Sequence, residues 1–241
     1  MPVLLRNAHL FCESRPIAYT IRFSSRARSF GMAISPQTGL VVTAPHRCDE
    51  AVVSRFVGRH ARWVLRQTER LERIASRIPK RWPYGPTLPY LGEEHRIVVQ
   101  DGDEAPSVRA MPDRALIVRM ARPEIDGARR LLKRWYMAEA LRRLQERVAL
   151  FGARMEISWR RIRIGDQRTR WGSCSVRGDL SFNYRLIMAP ATIMDYVVQH
   201  ELLHRAQLNH SRAFWTLMAT HCPAYRDAVV WLRTYGPYLT V

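Results

Sequence analysis

The stretch Ala191–His204, ATIMDYVVQHELLH, carries the strongest structural and chemical signal in the chain. Pro190 precedes it, and proline suits the first turn of a helix. His200 and His204 are four residues apart, so on an α-helix both imidazoles project from one face, one turn apart. Glu201 follows the first of them. The spacing predicts a helix that offers two nitrogen ligands to a metal ion and a carboxylate to a metal-bound water.

A third metal ligand has to come from outside this stretch. A catalytic zinc ion takes three protein ligands and keeps one position open for water. No Glu follows Glu201, so a Glu ligand from a later helix is excluded. The remaining candidates, in order of preference, are His210, Asp227 and His221. A buried structural helix is the alternative, but two buried imidazoles beside a carboxylate are costly without a metal or hydrogen bonds.

His210 can reach the metal only if the helix ends before it. Asn209 tolerates the left-handed conformation that ends helices, and Ser211 is a good N-cap for a new helix. We therefore expect the chain to turn at Asn209 and to return His210 to the metal. One zinc ion per chain would then lower the pKa of its bound water, with Glu201 as the general base. The pattern predicts a zinc hydrolase.

Spaced motifs elsewhere in the chain form a set together with this stretch. They are Arg170–Ser175 (RWGSCS), Gly178, Phe182–Pro190 (FNYRLIMAP), Asp195–Val198 (DYVV), His200–Leu202 (HEL), Asn209–Ser211 (NHS), Phe214 with Trp215, Val42–Pro45 (VTAP), Trp63 and Tyr90–Gly92 (YLG). Together they resemble the YgjP-like metallopeptidase-domain family, which is related to SprT-like and WLM-type zinc metalloproteases. The resemblance implies zinc at His200, His204 and His210. It also implies Glu201 as the base.

The same resemblance leaves two substrate classes open. Members of the family are named as peptidases from the motif, whereas a UTP pyrophosphatase activity has been assigned within it. We expect a zinc metallopeptidase acting on a peptide or protein. The alternative is a metal-dependent nucleoside triphosphate (UTP) pyrophosphatase, which the many arginines would suit. A second alternative is a nucleic-acid-binding module in which the zinc is structural.

Composition limits the class of protein. Nearly half of the 241 residues are hydrophobic and a quarter are charged, which is typical of a globular chain. No apolar run approaches the roughly 20 residues that cross a bilayer, so no membrane partner is expected. The four cysteines are far apart and form no Cys-x-x-Cys pair, which predicts reduced thiols in a cytoplasmic protein. Oligomeric state is not predicted.

The net charge of +18 favours anionic partners, and one group of arginines is regularly spaced. Seven arginines recur at intervals of three or four residues along a predicted helix, Asp49–Arg77: Arg55, Arg59, Arg62, Arg66, Arg70, Arg73 and Arg77. Two interpretations stay open. The arginines form a solvated face partly paired with Glu69 and Glu72, or they form a phosphate-binding surface for non-specific nucleic acid.

Periodicity along the chain predicts an α+β fold. The predicted elements are a strand over Ala18–Phe23, a hairpin of Gly31–Ile34 and Leu40–Thr43, the helix Asp49–Arg77, strands over Glu94–Gln100 and Ala115–Met120, a helix over Glu124–Phe151, a hairpin of Arg168–Ser175 and Leu180–Ile187, and a last helix over Tyr225–Tyr235. Four prolines after the first helix predict irregular structure there. We expect residues 1–122 to form a β-rich portion with one arginine-striped helix. Residues 123–241 would form a zincin-like metallohydrolase domain built from a backing helix, a β-hairpin and the HExxH helix.

Overall fold

The structure, a computed structural model, describes residues 4–12, 15–79, 81, 83, 85–102 and 105–241. Its described part is mixed α+β, with six α-helices and three small sheets, which confirms the predicted α+β class. The chain forms two compact units, Met1–Ile78 and Pro79–Val241. Within the described ranges, no helix combines the length and the apolarity that a membrane crossing requires. The zincin-like arrangement and the functional boundary between residues 122 and 123 stay predictions.

The first unit contains a four-stranded sheet and two helices. Its elements are β1 (Leu4–Cys12), β2 (Arg15–Ser24), β3 (Gly31–Ser35), β4 (Gly39–Pro45), α1 (Glu50–Arg59) and α2 (Ala61–Ala75). The sheet order is β1-β2-β4-β3, and the central pair runs parallel. Alternate residues of each strand point to the same side, so one face of the sheet is apolar and packs on the helices. The shared core contains Ile17, Tyr19, Ile21, Phe23, Leu40, Val42, Ala44, Val53, Val57, Ala61 and Val64.

The single helix predicted over Asp49–Arg77 is in fact two helices. Asp49 caps the first one as expected, because its side chain accepts a backbone hydrogen bond from the first turn. The helix ends at His60, whose Nδ1 lies 2.8 Å from the carbonyl oxygen of Phe56. Gly58 in the last turn weakens the helix there, since glycine is a poor helix former. The arginines of the predicted stripe are therefore divided between α1 and α2, and Arg77 lies beyond the end of α2.

The second unit contains two sheets and four helices among its described residues. Its strands are β5 (Thr87–Tyr90), β6 (Glu93–Asp101), β7 (Ser107–Ala110), β8 (Ala115–Met120), β9 (Arg161–Gly165), β10 (Gly172–Cys174) and β11 (Asp179–Asn183). Its helices are α3 (Ile125–Met155), α4 (Ala191–Leu203), α5 (Arg212–His221) and α6 (Tyr225–Tyr235). The sheet orders are β5-β6-β8-β7 and β10-β11-β9. The first of these has the same topology as the sheet of the first unit, with a parallel central pair.

Strand β5 lies in the segment that the prolines led us to predict as irregular. It contains Pro89, and it is the edge strand of its sheet, where a residue without an N–H is tolerated. The buried Tyr136 of α3 donates a hydrogen bond from its hydroxyl to the carbonyl oxygen of Pro89, at 2.9 Å. This contact ties the first strand of the sheet to the long helix behind it.

The turn between β5 and β6 contacts the start of α4. The N–H groups of Leu91 and Gly92 donate to the carbonyl oxygens of Ile187 and Met188, at 2.8 and 3.2 Å. Gly92 has a φ of +84°, and a Cβ at this position would lie 2.8 Å from the Cα of Pro190. Only glycine fits both the conformation and the close approach. The sheet thereby fixes the position at which α4 begins.

The predicted hairpin before α4 is shorter than expected. Its strands, β10 and β11, pair antiparallel, and β11 also pairs parallel with β9. After Asn183 the chain forms a 3₁₀ turn, Tyr184–Met188, instead of continuing as a strand. The Asn183 side chain accepts a hydrogen bond from the N–H of Arg185 at 3.1 Å and so begins the turn.

Candidate metal centre

Helix α4 positions His200 and Glu201 in its last turn, and His204 follows its final residue. The helix is enclosed on most sides, since its buried apolar residues are Ile193, Met194, Tyr196, Val197, Val198, Leu202 and Leu203. Close packing of these side chains leaves the helix one orientation. The last turn therefore presents its polar side chains from a rigid support.

The chain turns sharply after α4 and returns to the same place. Nδ1 of His204 lies 2.9 Å from the carbonyl oxygen of Gln207, so an N–H at Nδ1 leaves the lone pair on Nε2. The prediction of a left-handed residue at Asn209 is wrong, because its φ is not positive. Its side chain instead accepts a hydrogen bond from the N–H of Ser211 at 3.2 Å. Ser211 caps α5 as predicted.

The turn brings His210 against the histidines of α4. Nε2 of His210 lies 2.9 Å from Nε2 of His200, and one nitrogen from each of the three rings lies within 4.8 Å of the others. Two nitrogens bound to one tetrahedral zinc ion at about 2.0–2.1 Å would be about 3.3 Å apart. The three imidazoles could therefore hold one metal ion after small shifts of the rings. Their assignment as ligands stays a prediction.

Aromatic side chains of α5 form the floor under the three imidazoles. The ring of Phe214 is fully buried, and its centroid lies 4.8 to 4.9 Å from the centroids of all three histidine rings. Trp215 stacks on His210 at 5.7 Å and on Tyr225 of α6 at 5.4 Å. Neither aromatic residue was predicted to line the site. Their positions three and four residues after the predicted N-cap Ser211 were the available signal.

Glu201 is 5% exposed and lies against the edge strand β10. A Cβ on Gly172 would be 2.5 Å from Oε1 of Glu201, so any larger residue would collide with the carboxylate. Sequence reasoning quoted Gly172 only as part of a motif. In the structure the missing side chain makes the space that Glu201 occupies.

An ion pair joins helix α4, which carries the candidate site, to the long helix α3. Arg147 of α3 donates to both carboxylate oxygens of Asp195 of α4, from Nε at 2.6 Å and from Nη2 at 2.7 Å. The geometry is bidentate, the strong form of this pair. The next residue of α4 is Tyr196, and its hydroxyl lies 3.4 Å from Nδ1 of His200, a long contact that borders the imidazole.

Burial controls the protonation of the site. It raises the pKa of Glu201 to about 8, which the positive charge of Arg170 opposes. Burial and the neighbouring imidazoles His204 and His210 lower the pKa of His200 to about 3. Burial and the neighbouring imidazole of His204 also lower the pKa of His210. Neutral imidazoles are the form that binds metal, so the environment favours a cation supplied from outside over protons on the rings.

Other candidate ligands lie outside the three-histidine group. Among the described residues, the group that could share one ion contains His200, His204 and His210, and neither Asp227 nor His221 is part of it. Cys174 lies in β10, as predicted, and its Sγ is 3.4 Å from the carbonyl oxygen of Ser175. Burial and the Glu201 carboxylate raise the pKa of its thiol, which disfavours the thiolate that binds metals.

A comparison with models of protein families identifies the family of this chain. A family model described as "YgjP-like, metallopeptidase domain" matches residues 28–235. The matched range contains the three histidines and Glu201, and it includes most of each compact unit. A search of curated proteins found no match.

Proposed function

Because the chain belongs to the YgjP-like metallopeptidase-domain family, we propose that it is a zinc-dependent peptidase. In this proposal His200, His204 and His210 hold one zinc ion. Glu201 is the general base. The observation that carries the proposal is the convergence of three imidazole nitrogens within 4.8 Å, beside a buried carboxylate.

Each of these side chains has a defined task. A bound zinc ion would polarise the substrate carbonyl and lower the pKa of a nearby water molecule. Glu201 takes a proton from that water as its oxygen attacks the carbonyl carbon, and later gives a proton to the leaving amine. The buried setting strengthens both the carboxylate's interactions and its basicity. Gly172 has no side chain and so leaves the space that the carboxylate occupies.

Strand β10 supplies a surface for an extended peptide. It is the edge strand of its sheet, so one of its sides is unpaired within that sheet. Trp171 accepts a backbone hydrogen bond from Asn183, and Ser175 donates one to Asp179. In the antiparallel pairing, the N–H and C=O groups of Gly172 and Cys174 therefore face the free edge. A substrate strand pairing there would lie directly beside Glu201. This geometry favours a peptide as the substrate.

Arg170 is the cation that faces the base. Arg170 lies two residues before Gly172, the residue of β10 that meets Glu201. Its charge also lowers the pKa of Glu201 against the effect of burial. Arg170 is exposed and makes no ion pair among the described residues. We assign it to the negative charge that develops on the substrate carbonyl oxygen, or to a substrate carboxylate.

Replacing Glu201 by Gln tests the proposal. The variant should retain one zinc ion per chain, measured by mass spectrometry of the metal, because Glu201 is not a ligand. Hydrolysis of a fluorogenic peptide library should fall by about 100-fold to 10,000-fold, the usual contribution of a general base. Glu146→Gln, an exposed position on α3, is the matched control and should keep full activity.

The same two variants should be assayed on a panel of nucleoside triphosphates that includes UTP. Loss of peptide hydrolysis in the Glu201 variant, with no dependence of pyrophosphate release on that residue, is the expected outcome. If peptides are untouched and UTP hydrolysis depends on Glu201, the peptidase proposal is replaced by the pyrophosphatase alternative. Full peptidase activity with Gln at this position would remove Glu201 as the base.

A further inference from the structure

The exposed side of α2 carries a row of arginines that the proposed hydrolytic site does not use. Arg66, Arg70 and Arg73 are all exposed and lie within about 60° of one another around the helix axis at 3.6 residues per turn. Successive members separated by four residues are about 6 Å apart along the axis. The apolar side of α2, which includes the buried Ala61 and Val64, packs into the core of the first unit. The row is therefore a fixed linear array of positive charge.

The two acidic residues of α2 do not neutralise this row. Glu69 pairs with Arg15 of strand β2, whose Nη1 lies 2.5 Å from its carboxylate. Glu72 lies on the same flank of the helix and also raises the pKa of Arg15. Arg66, Arg70 and Arg73 make no ion pair with a carboxylate among the residues that the structure describes. These three arginines are therefore not paired with Glu69 or Glu72 in the described contacts.

An aromatic ring borders the same row. Trp63 is 36% exposed, although tryptophan is one of the most buried residue types on average. Its direction around the helix axis is next to those of Arg66 and Arg70. Guanidinium groups bind phosphate oxygens through paired N–H donors, and an exposed indole offers a face on which a base can stack. A membrane surface fits less well, because the apolar side that would insert into lipid is already packed in the core.

From this arrangement we propose that the arginine row of α2, with Trp63 at its edge, binds single-stranded nucleic acid. The phosphates lie along the arginines, and a base stacks on the indole. The interaction is independent of sequence, because the contacts are to the backbone and to the face of a base. It is separate from the hydrolytic proposal and does not depend on the metal.

The test compares two triple variants of the full chain that lose the same charge. The row variant is Arg66→Gln, Arg70→Gln and Arg73→Gln, in which glutamine preserves helix propensity. The control variant is Arg109→Gln, Arg134→Gln and Arg177→Gln, three exposed arginines of the second unit that make no ion pair with any residue the structure describes. Fluorescence anisotropy measures binding to labelled oligo(dT) and oligo(U) of 20 nucleotides between 50 and 200 mM salt. Circular dichroism confirms that both variants are folded.

The row variant should bind either oligonucleotide on the order of 10-fold to 100-fold more weakly, with a salt slope about 2 units shallower, at about 0.7 unit for each lost phosphate contact. The control variant should bind nearly as well as the unmodified protein. Trp63→Leu should weaken binding by several fold without changing the salt slope. Equal weakening in both triple variants, no binding by the unmodified protein at 50 mM salt, or row-dependent binding only to phosphatidylserine vesicles would overturn the proposal.

Discussion

Helices α4 and α2 use the same spacing of polar residues in opposite surroundings. In α4, His200 and His204 recur after four residues on a helix whose other residues are mostly buried. In α2, Arg66 and Arg70 recur after four residues on a helix with only two buried residues, Ala61 and Val64. The first arrangement confines polar groups where they must have partners, whereas the second leaves them in water.

This contrast decides how strongly each pattern constrains function. A buried imidazole or carboxylate without a ligand or hydrogen bond is costly, so the pattern in α4 points to a specific ion and a specific reaction. An exposed arginine costs little, so the pattern in α2 specifies only the sign and the spacing of a partner's charges. We therefore expect substitutions in α4 to have large, specific effects and substitutions in α2 to have small effects on folding.

The largest expected effect concerns the metal. His204→Ala should weaken zinc binding by more than 100-fold, because even residues that only orient a ligand contribute about 10- to 100-fold. Isothermal titration of the metal-free protein with zinc measures the change. The control is His221→Ala, which removes an exposed imidazole outside the three-histidine group. Similar zinc affinity in both variants would mean that the histidines of α4 are structural.

The next effect concerns the space around the base. Gly172→Ala would place a Cβ 2.5 Å from Oε1 of Glu201, so the carboxylate or the strand has to move. We expect a loss of about 1–3 kcal/mol in the free energy of unfolding, the usual cost of overpacking, together with loss of activity. Denaturant titration measures the first and a peptide assay the second. Gly31→Ala in β3 meets no atom within 4 Å and should change neither.

The third prediction compares the ion pair that α4 makes with the ion pair that α2 makes. Asp195→Asn should lower the free energy of unfolding by about 1.5–3 kcal/mol, since a partly buried Arg147 loses a charged, bidentate partner. Glu69→Gln breaks the exposed pair with Arg15 and should leave stability unchanged within error. Chemical unfolding of both variants makes the comparison. An equal loss of unfolding free energy in the two variants would mean that burial does not set how much each ion pair contributes to stability.

The smallest expected effect is a pH dependence of stability at Asp166, which precedes the β10–β11 hairpin. Burial alone would raise the pKa of Asp166, but the hydrogen bond from Lys133 and the charge of Arg185 outweigh it and hold that pKa below its ordinary 3.8. A lowered pKa contributes stability above pH 4 that disappears as the pH falls through the folded-state value. Asp166→Asn should therefore be less stable than the unmodified protein at pH 6, by up to about 1 kcal/mol, and equally stable near pH 2. A difference that persists at low pH would point to another cause.

The parts that sequence could predict are those set by local pattern. His200, Glu201 and His204 lie about one helical turn apart, so their relative positions follow from the periodicity of the helix. The N-caps Asp49 and Ser211 were predicted for the same reason, since a capping side chain bonds to its own first turn. These features depend on residues a few positions apart.

The parts that sequence missed depend on distant contacts. Nothing local shows that Gly172 faces Glu201, because the two are brought together by the packing of β10 on α4. The floor formed by Phe214 under three histidines requires the turn after α4 to be known first. The break at His60 was not predicted, because the apolar residues of α1 and α2 keep one continuous helical spacing across it. Pro89 was expected to interrupt regular structure, because a single sequence does not show which strand lies at the edge of a sheet.

Anomalous diffraction from crystals of zinc-loaded protein, recorded at the zinc absorption edge, tests the central claim most directly. The account predicts one strong anomalous peak per chain, about 2.0–2.1 Å from one nitrogen each of His200, His204 and His210. Glu201 should lie near the peak without binding it. A peak elsewhere, or none between the three imidazoles in a zinc-loaded crystal, would contradict the account.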